Sequence, residues 1–243
     1  MEHTRGMVVG RSVVVGFVLS SVLAPQLAHA EPPSAELMAK LGAYAARFER
    51  QRTHASYAIQ GRLEMLDSNG NPDETKELWG HVEADGAAAR LTVIRYLEDG
   101  KDKTEDGIRE AREAAAKKKD KSHELRMPIV IEEQSRYVFD QVETDARDRS
   151  HVRITFVPKE RAEDTVEGSA WIDAESGAPI SAGFKLSRTP LFVDYVHFSI
   201  EFGASTSLGP AVSKVNVDGR GGILFFRKQF RGSATLSDYR VLP

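Results

Sequence analysis

The chain has 243 residues, 33 Lys and Arg against 36 Asp and Glu, a formal net charge of −3 and no cysteine. The missing cysteines exclude a disulfide framework, thiolate chemistry and Cys-ligated metal sites. The near-neutral charge argues against non-specific nucleic-acid binding, which needs clustered surplus Lys and Arg, and no nucleic-acid partner is expected.

Met1–Ala30 carries Arg5 and Arg11, then an apolar run from Ser12 to Ala24, then Ala28-His29-Ala30. This is the layout of a secretory signal peptide with small residues at −3 and −1. The apolar run is shorter than the roughly 20 helical residues that span a hydrocarbon core. The expectation is therefore cleavage after Ala30 and a periplasmic mature chain that is not an integral membrane protein; an uncleaved anchor is the alternative. Removal of the leader leaves 31 basic and 35 acidic residues, a net charge of −4. Residues 31–243 are of a length that one β-rich domain uses.

Ser34 is a suitable N-cap for a helix over Ala35–Arg52, in which Leu37, Leu41, Tyr44 and Phe48 form one apolar stripe. From Tyr57 the period becomes two, with Tyr57, Ile59, Leu63 and Met65 alternating with polar residues. Asp67–Pro72 is a turn, and Thr75–Ala84 and Ala88–Leu97 read as strands around Asp85-Gly86. Asp99–Arg126 breaks the pattern: Thr104 can cap a helix over Glu105–Lys119, but only Ile108 and Leu125 are large and apolar. That segment is expected to be a solvated, mobile insertion whose removal (Asp102–His123) leaves the fold intact.

After Met127-Pro128 the strand pattern returns over Arg136–Val142, His151–Val157, Val166–Asp173, Ala178–Ser187, Phe192–Phe202, Val212–Asp218, Gly222–Phe230 and Gly232–Val241. Asp218-Gly219 and Arg231-Gly232 read as turns, and Gly219-Arg-Gly221-Gly222 as a hairpin turn joining two strands. Short connections imply an antiparallel meander, because parallel strands need long crossovers. The fold class is mainly β: a curved antiparallel sheet or incomplete barrel of about eleven strands, with one N-terminal helix.

Chemistry-bearing motifs are absent. His54, His81, His123, His151 and His197 make no ligand pair at helical or strand spacing. There is no nucleophile elbow and no phosphate loop, so neither a cofactor nor catalysis is expected. Glu163, Asp164 and Glu167 bracket a turn without calcium-loop spacing.

Trp171-Ile-Asp173-Ala-Glu-Ser-Gly177-Ala-Pro179-Ile180 is a strand, an acidic turn and a returning strand. This hairpin resembles that of outer-membrane lipoprotein-sorting proteins, the LolA/LolB-like superfamily. Glu77-Leu-Trp79-Gly80 and Leu97-Glu-Asp99-Gly100-Lys101 resemble the same family's elements, while the charged Asp99–Arg126 segment departs from it. The resemblance implies a half-barrel with a hydrophobic concave side that receives lipid or lipoprotein acyl chains. Trp79, Trp171, Tyr195, Phe198 and Phe225 are the candidate ligand-binding residues, since strands with two apolar faces have a core on one side and something else on the other. The alternative is an envelope interaction protein with the same fold and a filled cavity.

Overall fold

The computed structural model describes residues 31–86, 88–116, 125, 127–223 and 226–242. The leader Met1–Ala30 and Phe225 lie outside the described residues. Helix α1 (Ala35–Thr53) begins as its sequence dictates: Ser34 Oγ accepts a hydrogen bond from the Leu37 amide at 3.1 Å. Its buried stripe holds Leu37, Leu41 and Tyr44.

The strands are β1 (His54–Leu66), β2 (Pro72–Asp85), β3 (Ala88–Glu98), β4 (Lys101–Asp102), β5 (Tyr137–Thr144), β6 (His151–Pro158), β7 (Val166–Asp173), β8 (Pro179–Leu186), β9 (Val193–Glu201), β10 (Ala204–Thr206), β11 (Gly209–Ala211), β12 (Lys214–Ile223) and β13 (Phe226–Val241). Eleven of them form one antiparallel sheet in the order β4-β3-β2-β1-β13-β12-β9-β8-β7-β6-β5; β10 and β11 make a separate hairpin. The sheet is not closed, and β4 and β5 are its edges. The last strand joins the two halves by pairing with β1 on one side and β12 on the other.

Two expected turns are corrected. Asp218-Gly219, with the whole Gly219–Gly222 stretch expected to be a hairpin turn, lies inside β12, and Arg231-Gly232 lies inside β13, so three expected strands are two long ones. Both dipeptides are held extended by paired neighbours, Gly219 opposite Phe230 and Gly232 opposite Val217. Glycine serves there as a place for a neighbour to lie. A Cβ on Gly219 would meet the Phe230 ring at 2.6 Å, and one on Gly232 would meet Val217 Cγ1 at 3.0 Å.

The charged insertion is also corrected. Helix α2 (Thr104–Ala116) does not stand free; it packs on β3. Gly107 is buried, a Cβ on it would lie 2.7 Å from Tyr96 Cβ, and the Tyr96 side chain is only 7 % exposed. Asp102 Oδ1 accepts from the Thr104 amide and hydroxyl at 2.9 and 2.7 Å, which starts the helix. A short helix, α3 (Ile131–Gln134), follows the insertion and meets α1 where Gly42 leaves room for Ile131.

Sheet register assigns each side chain to a face. One row runs Leu78, Gly61, Ala234, Val215, Ile200, Ala182, Ala170 and Ile154 across eight strands. The next runs Leu63, Gly232, Val217, Phe198, Phe184, Gly168, Phe156 and Phe139. At the β5–β8 end these rows are sealed into the core by Leu37 and Leu41 of α1. The β7–β8 hairpin fixes α1 in place. Gly177 adopts φ +71°, and a Cβ on it would sit 2.4 Å from the Lys40 carbonyl carbon. Lys40 Nζ donates to the Ala174 carbonyl at 3.3 Å, and Asp173 Oδ1 shapes the turn by accepting from the Glu175 and Ser176 amides.

Candidate apolar binding site

The same apolar face continues past α1, and there it is left partly open. Ile59, Met65, Leu78, Val217 and Phe230 are half-buried, and Leu63 is 37 % exposed. Small residues lower the middle of this floor: Gly61, Gly232 and Ala234 are neighbours in register. A Cβ on Gly61 would find only the Ser233 carbonyl oxygen, at 3.8 Å, so the space above it is free. The result is an apolar trough over β2, β1, β13 and β12.

Helices α1 and α2 each add a cavity on this half of the molecule. Between α2 and β3 lies a space of about 470 Å³ lined by Leu91, Val93, Ile108, Ala111 and Ala115, with Arg90, Thr92 and Arg112 as its polar members. Between the end of α1 and the β12–β13 pair lies one of about 190 Å³, lined by Phe48, Gln51, Tyr57, Val215, Leu236 and Tyr239 among others. The larger of the two falls in the volume range of small-molecule pockets.

The polar groups here are few and specific. Tyr57 and Tyr239 stack at 4.9 Å, and burial pushes both phenols up, so each stays protonated; Tyr239 donates to the Val212 carbonyl at 2.8 Å. Gln51 is 2 % exposed, and its Nε2 donates to Thr206 Oγ1 at 2.8 Å and to the Gly209 carbonyl at 3.0 Å. Since a carbonyl oxygen only accepts, this fixes the amide orientation and leaves Oε1 a buried acceptor with no hydrogen-bond partner among the described residues. At the far margin, Lys76 lies 3.2 Å from Glu74 and 3.6 Å from Glu98, a charged rim to the apolar floor. Tyr96 Oη donates to Glu98, and burial with that bond pushes the phenol up to about 12.

The structure does not gather the residues singled out from sequence. Trp79, Trp171 and Tyr195 lie on the outer face, opposite the trough. Each tryptophan is covered by an arginine from the neighbouring strand, Arg95 at 5.3 Å from the Trp79 ring and Arg153 at 6.0 Å from the Trp171 ring. Tyr195 accepts from Gln229 Nε2 at 3.2 Å and packs against His197. Of the four candidates among the described residues, Phe198 alone is on the trough side, stacked on Phe184 at 5.2 Å and opposite Val217 in register. Nothing local in the sequence sets the trough residues Leu63, Leu78 and Phe230 apart from core residues, because their exposure is set by where the helices stop. Glycine recurring at inward positions of adjacent strands (Gly61, Gly232, Gly219) was the available signal.

The outer face carries a charge ladder. Glu64 is 7 % exposed and receives hydrogen bonds from Arg231 and Arg62, and Arg62 continues to Glu77 at 2.8 Å. The two guanidinium groups hold the Glu64 carboxyl below the usual carboxylate range. A depressed folded-state value means that this stabilisation is complete above the unfolded pKa and is lost as pH falls through the folded one. Glu64→Gln is therefore expected to melt below the wild type at neutral pH, with the gap closing as pH drops below about 4, the range in which an ordinary glutamate is protonated. A gap that stays constant from pH 7 to acid would show that the charge of Glu64 contributes nothing.

Among the described residues no three His, Asp or Glu groups are placed to hold a metal ion, and no helix is long and apolar enough to cross a membrane. No family model and no curated protein matches the chain. Solved structures do. A domain described as an outer membrane lipoprotein-sorting protein from Vibrio parahaemolyticus is similar at 9 % identity, with 84 % of this chain and 91 % of that one covered and a TM-score of 0.38. A LolA superfamily protein from Nitrosomonas europaea is similar at 10 % identity, over 82 % and 94 % of the two chains, with a TM-score of 0.33. MucB is similar at 15 % identity, over 84 % and 94 %, with a TM-score of 0.24. Similarity of this degree fixes no side chain of a site.

Proposed function

We propose that the chain, processed to begin at Glu31 as one domain in the periplasm, is a non-enzymatic carrier or binding protein for an apolar ligand, a lipid or lipoprotein acyl chains, held in the trough. One observation carries this reading: a continuous apolar sheet face is sealed by α1 over β5–β8 and left half-exposed over β2, β1, β13 and β12. An exposed apolar surface of this kind is unfavourable in water unless something covers it. The free acceptor Gln51 Oε1 would orient a ligand hydroxyl or amide at the α1 side. The hairpin's resemblance to lipoprotein-sorting proteins agrees with this assignment.

The test fills the trough without charging it. Gly61→Leu places a side chain in free space at a strand position with no positive φ. The variant is expected to melt at or above the wild-type temperature, since glycine weakens a strand. Its saturable binding of a fluorescent fatty acid is expected to fall at least about tenfold. Leu78→Trp puts a reporter on the floor, which Trp79 and Trp171 on the outer face cannot be. Wild-type protein that binds no fatty acid, together with a Leu78→Trp emission indifferent to lipid, would overturn the reading in favour of an interaction protein.

A further inference from the structure

The connection between β8 and β9 breaks a rule of turn chemistry. Pro190–Val193 is a four-residue turn closed by the Val193 amide donating to the Pro190 carbonyl at 3.1 Å. Its third residue adopts positive φ, +73°, the signature of a type II turn, whose third position belongs to glycine or asparagine. This chain has Phe192 there. Left-handed backbone is costly for a bulky side chain and persists where the surroundings enforce it. Here the Gly222 amide donates to the Phe192 carbonyl at 2.8 Å, and Gly221 lacks the Cβ that would sit 2.7 Å from that oxygen. The strain gains the fold no packing: Phe192 is 54 % exposed and Leu191 is 79 % exposed.

Two adjacent large apolar side chains are thus held out to solvent on a pinned turn. The surrounding charge is basic. Arg188 and Lys228 are exposed, and Lys228 pairs in register with Gly221, the residue against which the turn is fastened. Arg220, also exposed, lies 3.5 Å from Asp194, the acid next to the turn. A local basic surplus on a chain of net negative charge complements an anionic surface. Apolar tips with basic flanks are how proteins sit in the headgroup region of a bilayer without spanning it.

We infer that the Pro190–Val193 turn is a membrane-docking tip, Leu191 and Phe192 entering the interface of an anionic bilayer while Arg188, Arg220 and Lys228 meet its headgroups. With two side chains inserted, docking is weak and reversible, which suits contact rather than residence. It does not depend on what the trough holds.

The variant Phe192→Gly separates this role from a structural one, because glycine accepts positive φ at no steric cost. It is expected to keep or raise the melting temperature while flotation with phosphatidylglycerol vesicles at low salt falls about tenfold. Leu191→Ser should lower flotation with no change in melting. Phe192→Trp should blue-shift on adding phosphatidylglycerol vesicles, respond less to phosphatidylcholine, and lose the response when Arg188 and Lys228 are replaced by Glu. Equal flotation of wild type and Phe192→Gly, or no shift of Phe192→Trp with either vesicle, would overturn the proposal. So would a turn that captures an envelope protein while ignoring both vesicles.

Discussion

Gly177→Ala is expected to destabilise the protein by about 4 kcal/mol, more than any single surface change should. Two costs add. Holding a non-glycine residue in the left-handed region at φ +71° costs about 1–2 kcal/mol. The new Cβ would also stand 2.4 Å from the Lys40 carbonyl carbon and 2.7 Å from the Leu41 nitrogen. Those are backbone atoms of a helix and cannot rotate away, so α1 and the β7–β8 hairpin must part, at roughly 2 kcal/mol for overpacking. Leu41, fully buried at this crossing, loses contacts when they do. At a few degrees per kcal/mol for a domain of this size, the melting temperature should fall by about 10 °C. Gly177→Ala with wild-type melting would show that the hairpin does not bear on α1.

Replacing Thr104–Ala116 by a flexible linker of equal length is expected to cost about 3 kcal/mol, against the tolerance that the segment's composition implies. The helix covers the Tyr96 ring and adjoins Leu91 and Val93 on β3. Uncovering roughly 120 Å² of apolar surface at 25 cal/mol per Å² gives that figure. The loss should show in chemical denaturation as a lower midpoint, and amide exchange should rise first in β3, which has only the two-residue β4 beyond it. An unchanged midpoint would return α2 to the solvated insertion that its charges describe.

The fate of α2 shows where composition misleads. Its stripe is made of Gly107, Ile108, Ala111 and Ala115, in which Ile108 is the one large apolar side chain. Small residues bring a helix close to a strand, and the apolar area then comes from the partner, Tyr96, which the helix sequence does not contain. The two corrected turns fail for a related reason. Asp-Gly and Arg-Gly are local signals, whereas Gly219 and Gly232 lie between strands paired on both sides. Hydrogen bonding to two neighbours outweighs a local turn preference.

What the sequence determined by itself was the local grammar. Ser34 and the Leu37–Tyr44 stripe set α1, period-two alternation set most strands within a residue or two, and Asp173 with Gly177 set the hairpin that holds the helix. The period of two also sorted side chains correctly onto two faces, placing both tryptophans away from the core. Only the tertiary structure decided which face mattered where. Pairing of β1 with β13 joins residues such as Leu63 and Gly232 from opposite ends of the chain, and no local pattern encodes that choice. Whether an inward residue is core or binding surface depends on how far α1 and α2 reach across the sheet. Ile154 and Leu63 carry the same kind of side chain on the same face, and a helix lies over one and not the other.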